Sequence, residues 1–160
     1  MKCIAVDNDE QKVMHCLHNA EIYNCKDNIR GITTDFLNIK PSDIPEFVAE
    51  EKKAIFLSPN WGGHVYNEIQ SYSVDCVFPP IRETMKCLKL SQNIILYLPR
   101  NSDIKELVEM IAKMYSKYTD WKEVYIEIEQ IIIKGSVKVL VVYTEDLARI
   151  GSNEIAKYME

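Results

Sequence analysis

Residues 58–63, Ser-Pro-Asn-Trp-Gly-Gly, have the residue types of a site that methylates an amino group. They follow residues 54–57, an apolar run that predicts a buried strand. The serine side chain and the Pro59 carbonyl can hold a target NH2 group, while the Trp61 ring stacks on its base. The glycines allow a sharp turn and keep one ring face open. No strong base is needed, so orientation and proximity dominate catalysis. Alternatively, the Trp61 side chain has a purely structural role and packs at the edge of the hydrophobic core.

Other predicted strands also end in polar residues. Asp7 follows the first strand, Asp35 the second, and Arg100 and Asn101 the fourth. Ligands of open parallel sheets bind beyond the carboxyl ends of the strands, where an acidic residue can bind ribose hydroxyls. Asp7 has that position, and Asp35 with Phe36 can bind an adenine, which together predict an adenosine-containing cofactor. The alternatives are that Asp7 caps a helix, Asp35 belongs to a turn and Arg100 is a surface cation.

Strand and helix patterns alternate along the chain, which predicts an α/β fold with a largely parallel sheet and one antiparallel strand. We expect one domain over residues 1–150 and a tail over residues 151–160. Asn8 or Asp9, Ser42, and Ser102 or Asp103 are candidate helix caps, and Lys134-Gly135 is a candidate hairpin turn. The predicted strands are residues 2–6, 29–33, 54–57, 94–98, 123–133 and 136–143, and the predicted helices are residues 10–23, 41–50, 81–91 and 103–118.

The composition limits the possible partners. The chain has 160 residues and a net charge of −5, so no global basic field attracts DNA or long RNA. Any RNA contact should therefore involve a few local cations. The five cysteines are odd in number and lack CxxC spacing, which argues against disulfides and metal and favours a nuclear or cytoplasmic protein. No apolar run approaches the roughly 20 residues that span a membrane.

Several segments resemble the trimethylguanosine synthase family, the RNA-cap guanine-N2 methyltransferases. The likeness runs from Lys2 to Arg149, and the Ser-Pro-x-Trp-Gly-Gly and Leu-Pro-Arg-Asn blocks in this order are specific to that family. The similar segments are residues 7–9, 19–23, 31–37, 55–66, 97–101 and 127–130.

The resemblance implies a Rossmann-like class I methyltransferase fold, S-adenosylmethionine as methyl donor and the m7G cap of small nuclear or nucleolar RNA as acceptor. It also implies roles for residues at three places. The catalytic set is Ser58, Pro59 and Trp61; the cap-binding set is Trp61, Tyr66, Arg100, Asn101 and Lys138; and the donor-binding set is Asp7, Asp35 and Phe36.

Two departures from the family pattern affect these expectations. The family has a second proline where this chain has Asn60, which should loosen the loop. The family also has a strand and a glycine-rich turn before the strand that ends at Asp7, and neither is present here. The methyltransferase domain is therefore expected to be incomplete, with its first strand missing.

The missing strand should leave unpaired edges on the strands at residues 2–6 and 54–57. We expect one of three outcomes. The two strands close up, another chain fills the gap (a second copy in the case of self-association), or the chain is a fragment of a longer protein. Two hypotheses compete with the cap methyltransferase: a cap-binding module without catalysis, and a methyltransferase of the same fold that acts on another amino group.

Overall fold

The computed structural model describes residues 2–120 and 123–148, with the backbone alone at residues 64, 65 and 67. These residues form two compact units, Met1–Glu51 and Lys52–Glu160, each with its own sheet. The predicted tail at residues 151–160 lies outside the described residues, and the single-domain organisation stays a prediction. Among the helices of the described chain, none combines the length and apolar character that crossing a bilayer requires.

The first unit is a β-α-β arrangement. Strands β1 (Cys3–Asp7) and β2 (Ile29–Thr33) pair in parallel, and helix α1 (Glu10–Ile22) connects them. The Asp9 carboxylate caps α1 by accepting the backbone N–H of Gln11 at 2.9 Å, as one of the two predicted caps. Because α1 packs closely on β2, a Cβ atom on Gly31 would lie 2.6 Å from Val13 Cγ1.

The core of this first unit is small. Its buried apolar side chains, among the residues that the structure describes, are Val13, Ala20 and Ile44. The helix predicted over residues 41–50 is wrong in form, because a 3-10 turn at Pro41–Asp43 precedes a short α2 (Pro45–Ala49). Pro45 has no N–H to donate, so a continuous helix cannot pass through it. Ser42 is not the cap of α2, whose N-cap residue is Ile44.

The second unit contains a four-stranded mixed sheet in the order β3-β4-β6-β5. Strand β3 (Ile55–Leu57) runs parallel to β4 (Ile94–Pro99), whereas β6 (Ser136–Thr144) is antiparallel to both β4 and β5 (Ile126–Ile133). The prediction of one antiparallel strand is therefore confirmed. Strand β5 starts three residues later than predicted, and Lys134-Gly135 forms the predicted hairpin turn with positive φ at both residues.

Apolar side chains on one face of this sheet form the core of the second unit. Leu96, Leu98, Leu140 and Val142 are all almost fully buried. Helix α4 (Ile104–Tyr118) begins at Asp103, whose carboxylate accepts the Glu106 N–H at 2.9 Å. The helix predicted over residues 81–91 is α-helical only in α3 (Ile81–Thr84) and continues as a 3-10 turn at Met85–Lys89.

Strand β1 is a terminal strand of the first sheet, and β3 is a terminal strand of the second. The three outcomes expected at the gap between them stay predictions.

Candidate functional site

The loop after β3 is held in a sharp turn by Asn60 and two glycines. The Asn60 N–H donates to the Phe78 carbonyl and the Phe78 N–H donates to the Asn60 carbonyl, both at 2.8 Å. The Asn60 side chain accepts the Gly62 N–H at 2.9 Å, and Gly62 and Gly63 have φ of 81° and 71°. A proline at position 60 would lack the N–H that reaches Phe78. The expectation that Asn60 loosens the loop is therefore wrong.

The Trp61 side chain is half-buried. Two tyrosines contact its ring, and a third tyrosine binds its backbone carbonyl. The Trp61 ring stacks on Tyr97 with centroids 5.6 Å apart and planes 21° apart, and its indole N–H donates to the Tyr97 carbonyl at 3.2 Å. The Tyr66 ring is perpendicular to it at 5.3 Å. The Tyr72 hydroxyl donates to the Trp61 carbonyl at 2.9 Å. Tyr97 thus packs against one face of the indole, and Tyr66 contacts the ring edge-to-face.

Tyr72 is the buried support of this loop. Its side chain is only 3% exposed, and burial raises the pKa of its hydroxyl. Backbone hydrogen bonds fasten it to the segment after β4, because its N–H donates to the Asn101 carbonyl at 2.8 Å and its carbonyl accepts the Asp103 N–H at 3.0 Å. The loop around Trp61 is thus connected to the N-terminus of α4.

The Asn101 side chain also holds this loop in place through hydrogen bonds. Its side-chain NH2 donates to the carbonyls of Tyr66 at 2.8 Å and Ile69 at 2.5 Å. Its side-chain oxygen is buried and has no hydrogen-bond partner among the residues that the structure describes. The amide donors that could have bound a phosphate are therefore used within the protein. The resemblance placed Asn101 among the cap-binding residues, which stays a prediction; its hydrogen bonds to Tyr66 and Ile69 also give it a role in positioning the loop.

Ser58 and Pro59 lie at the carboxyl end of β3. Ser58 is exposed and Pro59 is half-buried. Strand β3 is parallel to β4, with Leu57 opposite Leu96, so the ends of both strands lie at one edge of the sheet. That edge carries Ser58 and Trp61 from one strand end and Arg100 from the other.

Arg100 and Lys138 are exposed cations at this same edge. The last β4–β6 pair is Pro99 opposite Val139, so the register places Lys138 opposite Arg100 one step further. The β5–β6 register shifts at Ile131 and leaves Lys138 as the extra residue of a bulge. Like charges on opposite strands repel each other. An anion bound between them would relieve this repulsion.

The predicted donor-binding residues belong to the first unit, at one edge of its sheet. The Asp7 carboxylate accepts the Asp9 N–H at 2.9 Å and lies 3.6 Å from Lys12 Nζ. The Asp35 carboxylate accepts the Leu37 N–H at 2.9 Å, which caps a 3-10 turn. The Thr34 N–H donates to the Asp7 carbonyl at 3.0 Å and holds the two strand ends together.

These carboxylates fit part of an adenosine-containing donor. Each uses one oxygen for a backbone amide and has a second oxygen that can accept a hydroxyl or an amine, and half-buried Phe36 adjoins Asp35. Asp35 also has the turn role that was its alternative interpretation, whereas the cap of α1 is Asp9 and not Asp7. None of the chain's glycines precedes β1, so a glycine-rich turn for the methionine part is not present in this sequence.

An open depression of about 500 Å³ lies beside α1, and its lining includes Lys12, His15, Cys16, Tyr23 and Cys25. It has few charged groups and is widely open to solvent, so we assign it no role. Over the part of the chain that the structure describes, no three His, Cys, Asp or Glu side chains are placed to hold a metal ion.

The family model for RNA cap guanine-N2 methyltransferases matches residues 1–147. The chain belongs to this family. Trimethylguanosine synthase of Schizosaccharomyces pombe is 30% identical over 107 residues, which cover 65% of this chain and 44% of that protein. Trimethylguanosine synthase of Saccharomyces cerevisiae is 36% identical over 76 residues, 46% of this chain and 24% of that protein. The matches thus cover less than half of either relative.

The fold agrees with the family. A crystal structure described as an rRNA methylase from Clostridium thermocellum superposes with a TM-score of 0.53 at 12% identity, covering 90% of this chain and 74% of that one. The Rossmann-like class I methyltransferase fold predicted from the sequence is therefore confirmed. The methyl donor of this family is S-adenosylmethionine.

Sequence reasoning missed the residues that orient Trp61. Tyr97 occupies an alternate position on β4 and shares a sheet face with the neighbouring Phe56, 6.1 Å away between ring centroids. Strand alternation was a signal that could have identified it. Tyr72 lies in a segment of short turns with no periodic pattern, and no local signal marked it.

Proposed function

We propose that the chain is the cap-binding part, and some of the donor-binding part, of an S-adenosylmethionine-dependent methyltransferase for the N2 amine of an m7G cap. Family membership supports the activity, and the arrangement around Trp61 supports the acceptor. The proposed RNAs are small nuclear or nucleolar RNAs, so the protein would act in the nucleus or the cytoplasm. The roles of the individual site residues are part of this proposal.

The oriented Trp61 ring is the observation that carries the proposal. An indole stacked at 5.6 Å on Tyr97, with its N–H on a backbone carbonyl, has lost most of its rotational freedom before a ligand arrives. The flanking glycines have nothing within 4 Å of their missing Cβ positions, so there is room beside the ring. N7-methylated guanine is positively charged and adds a cation–π attraction of about 0.5–2 kcal/mol to ordinary stacking.

The paired cations suit the phosphates that accompany a cap. Arg100 and Lys138 each adjoin the last β4–β6 pair, Pro99 opposite Val139, and both are exposed at the edge that carries Trp61. A triphosphate bound there would replace a repulsive pair by charge-assisted hydrogen bonds, of which each contributes roughly 1.5–3 kcal/mol. The protein has a net charge of −5, so this attraction would be local.

Transfer at this site would depend on position. S-adenosylmethionine supplies an electrophilic methyl group when it is bound. The Ser58 hydroxyl and the Pro59 carbonyl would orient the N2 amine, while Trp61 fixes the plane of the base. The amine needs no prior deprotonation, and it releases a proton to solvent after the new N–C bond forms. Asp7, Asp35 and Phe36 would hold the ribose and adenine of the donor.

Titration with m7GTP, GTP and m7-guanosine tests the acceptor assignment. We expect m7GTP to bind more tightly than GTP by about two- to thirtyfold, the equivalent of the cation–π energy. Trp61→Ala should abolish this preference and Trp61→Phe should keep part of it. Val108→Ala, a change on the exposed side of α4, is the matched control. Equal affinity for m7GTP and GTP in the unmodified protein would refute the assignment.

The same titration tests the phosphate contacts. Arg100→Ala and Lys138→Ala should weaken m7GTP binding and leave the much weaker binding of m7-guanosine unchanged. The loss should shrink as salt is added, because both cations are exposed. A similar loss with the nucleoside would mean that these residues act on the loop and not on the phosphates.

A cap-binding module without catalysis is the second candidate, and one observation favours it. Hydrogen bonds within the second unit hold the residues around Trp61, whereas the proposed donor-binding residues all belong to the first unit. Transfer of labelled methyl from S-adenosylmethionine to m7GTP would establish the enzyme. Binding of m7GTP without binding of S-adenosylmethionine or transfer would support the module, and transfer to another amino acceptor would support the third hypothesis.

We also propose that the free strand edges allow self-association or pairing with another chain. The outer edge of β3 is bounded by exposed Phe56, an apolar side chain that is 60% exposed. Sedimentation over a wide range of protein concentration tests this. A monomer at every concentration would contradict self-association.

A further inference from the structure

An exposed phenylalanine lies beside the proposed acceptor loop. Phe78 is 72% exposed, whereas its neighbour Val77 is 2% exposed and Ile81, three residues later, is fully buried. The segment is thus anchored in the core on both sides of the ring. A bidentate ion pair between Arg82 and Asp75, at 2.7 and 3.0 Å, also spans it. The ring is held in water by an ordered segment.

The backbone of Phe78 is fixed relative to the loop that would hold the methylated base. Phe78 and Asn60 form an antiparallel bridge through two hydrogen bonds of 2.8 Å. Side chains of such a pair project on the same side, with Cα atoms about 5.5 Å apart. Asn60 is adjacent to Trp61 and two residues after Ser58 in sequence. The two aromatic residues are therefore connected by a short, hydrogen-bonded path.

Nothing in the fold of this unit requires an aromatic side chain at position 78. The backbone of Phe78 makes the bridge, and any residue with an N–H would make it equally well. A large apolar ring in water gains nothing in stability, and this one differs from the other exposed apolar side chains in its place beside the proposed acceptor loop. Beside a loop that positions one nucleobase, the chemistry that matches an exposed ring is a second nucleobase, because every base has a face that stacks.

We propose that Phe78 forms a second base-binding subsite, which stacks on the nucleobase of the nucleotide that follows the methylated guanosine. This inference rests on the proposed function. It deepens that function because it predicts that the protein distinguishes a capped RNA end from a free cap nucleotide. Trp61 would bind the guanine, and Phe78 would bind the first transcribed base.

Binding of two probes to the whole chain tests the subsite: m7GTP, which has one base, and the dinucleotide m7GpppA, which has two. We expect the unmodified protein to bind m7GpppA more tightly than m7GTP by about five- to a hundredfold, the usual range for one base–aromatic stack. Phe78→Ala should remove most of this advantage and leave m7GTP affinity unchanged. Phe78→Trp should keep it, and Val108→Ala is the control for an exposed apolar side chain elsewhere.

The outcomes separate the inference from the function on which it rests. Equal loss of affinity for both probes in Phe78→Ala, with Phe78→Leu restoring both, would mean that the ring supports the loop, and would overturn the subsite. Equal affinity of the unmodified protein for the two probes would overturn it as well and leave the cap assignment intact. Failure of the unmodified protein to bind m7GTP at all would overturn the proposed function and the subsite together.

Discussion

Replacement of Asn101 tests whether this residue holds the loop or binds the ligand. Its NH2 group donates to the Tyr66 and Ile69 carbonyls at 2.8 and 2.5 Å. Each such bond contributes about 0.5–1.5 kcal/mol net, so Asn101→Ala removes roughly 1–3 kcal/mol. The buried side-chain oxygen has no hydrogen-bond partner among the described residues, so its removal offsets part of this destabilisation. We expect the free energy of unfolding to fall by about 1–2 kcal/mol.

Asn101→Asp gives a sharper result. It replaces the donor NH2 by an oxygen that faces two carbonyl oxygens, and it adds a charge to a site with little solvent. The loss should therefore exceed that of Asn101→Ala at neutral pH. Arg100→Ala, the adjacent residue, is the control: it is exposed and should change the unfolding free energy by less than about 0.5 kcal/mol.

Urea denaturation followed by circular dichroism measures these differences, and m7GTP titration on the same variants measures the ligand effect. The expected pattern is that Asn101 variants lose stability first, whereas Arg100→Ala loses affinity at unchanged stability. Asn101→Ala with wild-type stability, or Asn101→Asp as stable as Asn101→Ala, would refute the positioning role and return Asn101 to the cap-binding set.

Three further predictions concern packing and chemistry. Gly31→Ala should destabilise the protein by roughly 1–3 kcal/mol, because its Cβ would lie 2.6 Å from Val13 Cγ1; unchanged urea denaturation would contradict this. Tyr72→Phe should cost about 1 kcal/mol and weaken m7GTP binding, because the hydrogen bond to the Trp61 carbonyl is lost; a change in neither would show that this bond is dispensable. Burial raises the pKa of the Cys87 thiol to about 12, so Cys87 should resist thiol reagents at pH 8 until urea unfolds the protein, and rapid labelling of the native chain would be inconsistent with its burial.

Local patterns predicted most of the secondary structure. Asp9 and Asp103 were identified as candidate caps from their position before apolar helical patterns, and both cap helices. The run that became β4 is apolar throughout, and the run that became β6 is apolar over residues 139–142, because both strands are central. The helix over residues 41–50 failed because Pro45 outweighs the apolar spacing around it. The start of β5 was placed too early because an exposed edge strand has no burial pattern to define its end.

The candidate site was predictable only in part, for a physical reason. Ser58, Trp61 and Arg100 adjoin strand ends, so the topology of a parallel sheet was enough to place them at one edge. The contacts of Tyr72 with Trp61 and of Asn101 with Ile69 join residues whose pairing depends on irregular turns. The conformation of such turns is set by hydrogen bonds that form only after the sheet has brought the segments together. Asn101 was therefore assigned from its neighbour Arg100 and not from its own partners.

The small core of the first unit has a consequence for local unfolding. The residues Met1–Glu51 bury few apolar side chains, while Leu96 and Leu98 of β4 are essentially inaccessible. Amide protons of β1 and β2 should therefore exchange with solvent through local openings of low free energy, whereas those of β4 and β6 should exchange only through global unfolding. A ligand that contacts both Asp7 and Asp35 binds only the folded form of this unit. At a ligand concentration of about 100 times the Kd, amide exchange in β1 would slow roughly a hundredfold. Ligand binding would therefore also stabilise the folded form of the unit that contains the binding residues.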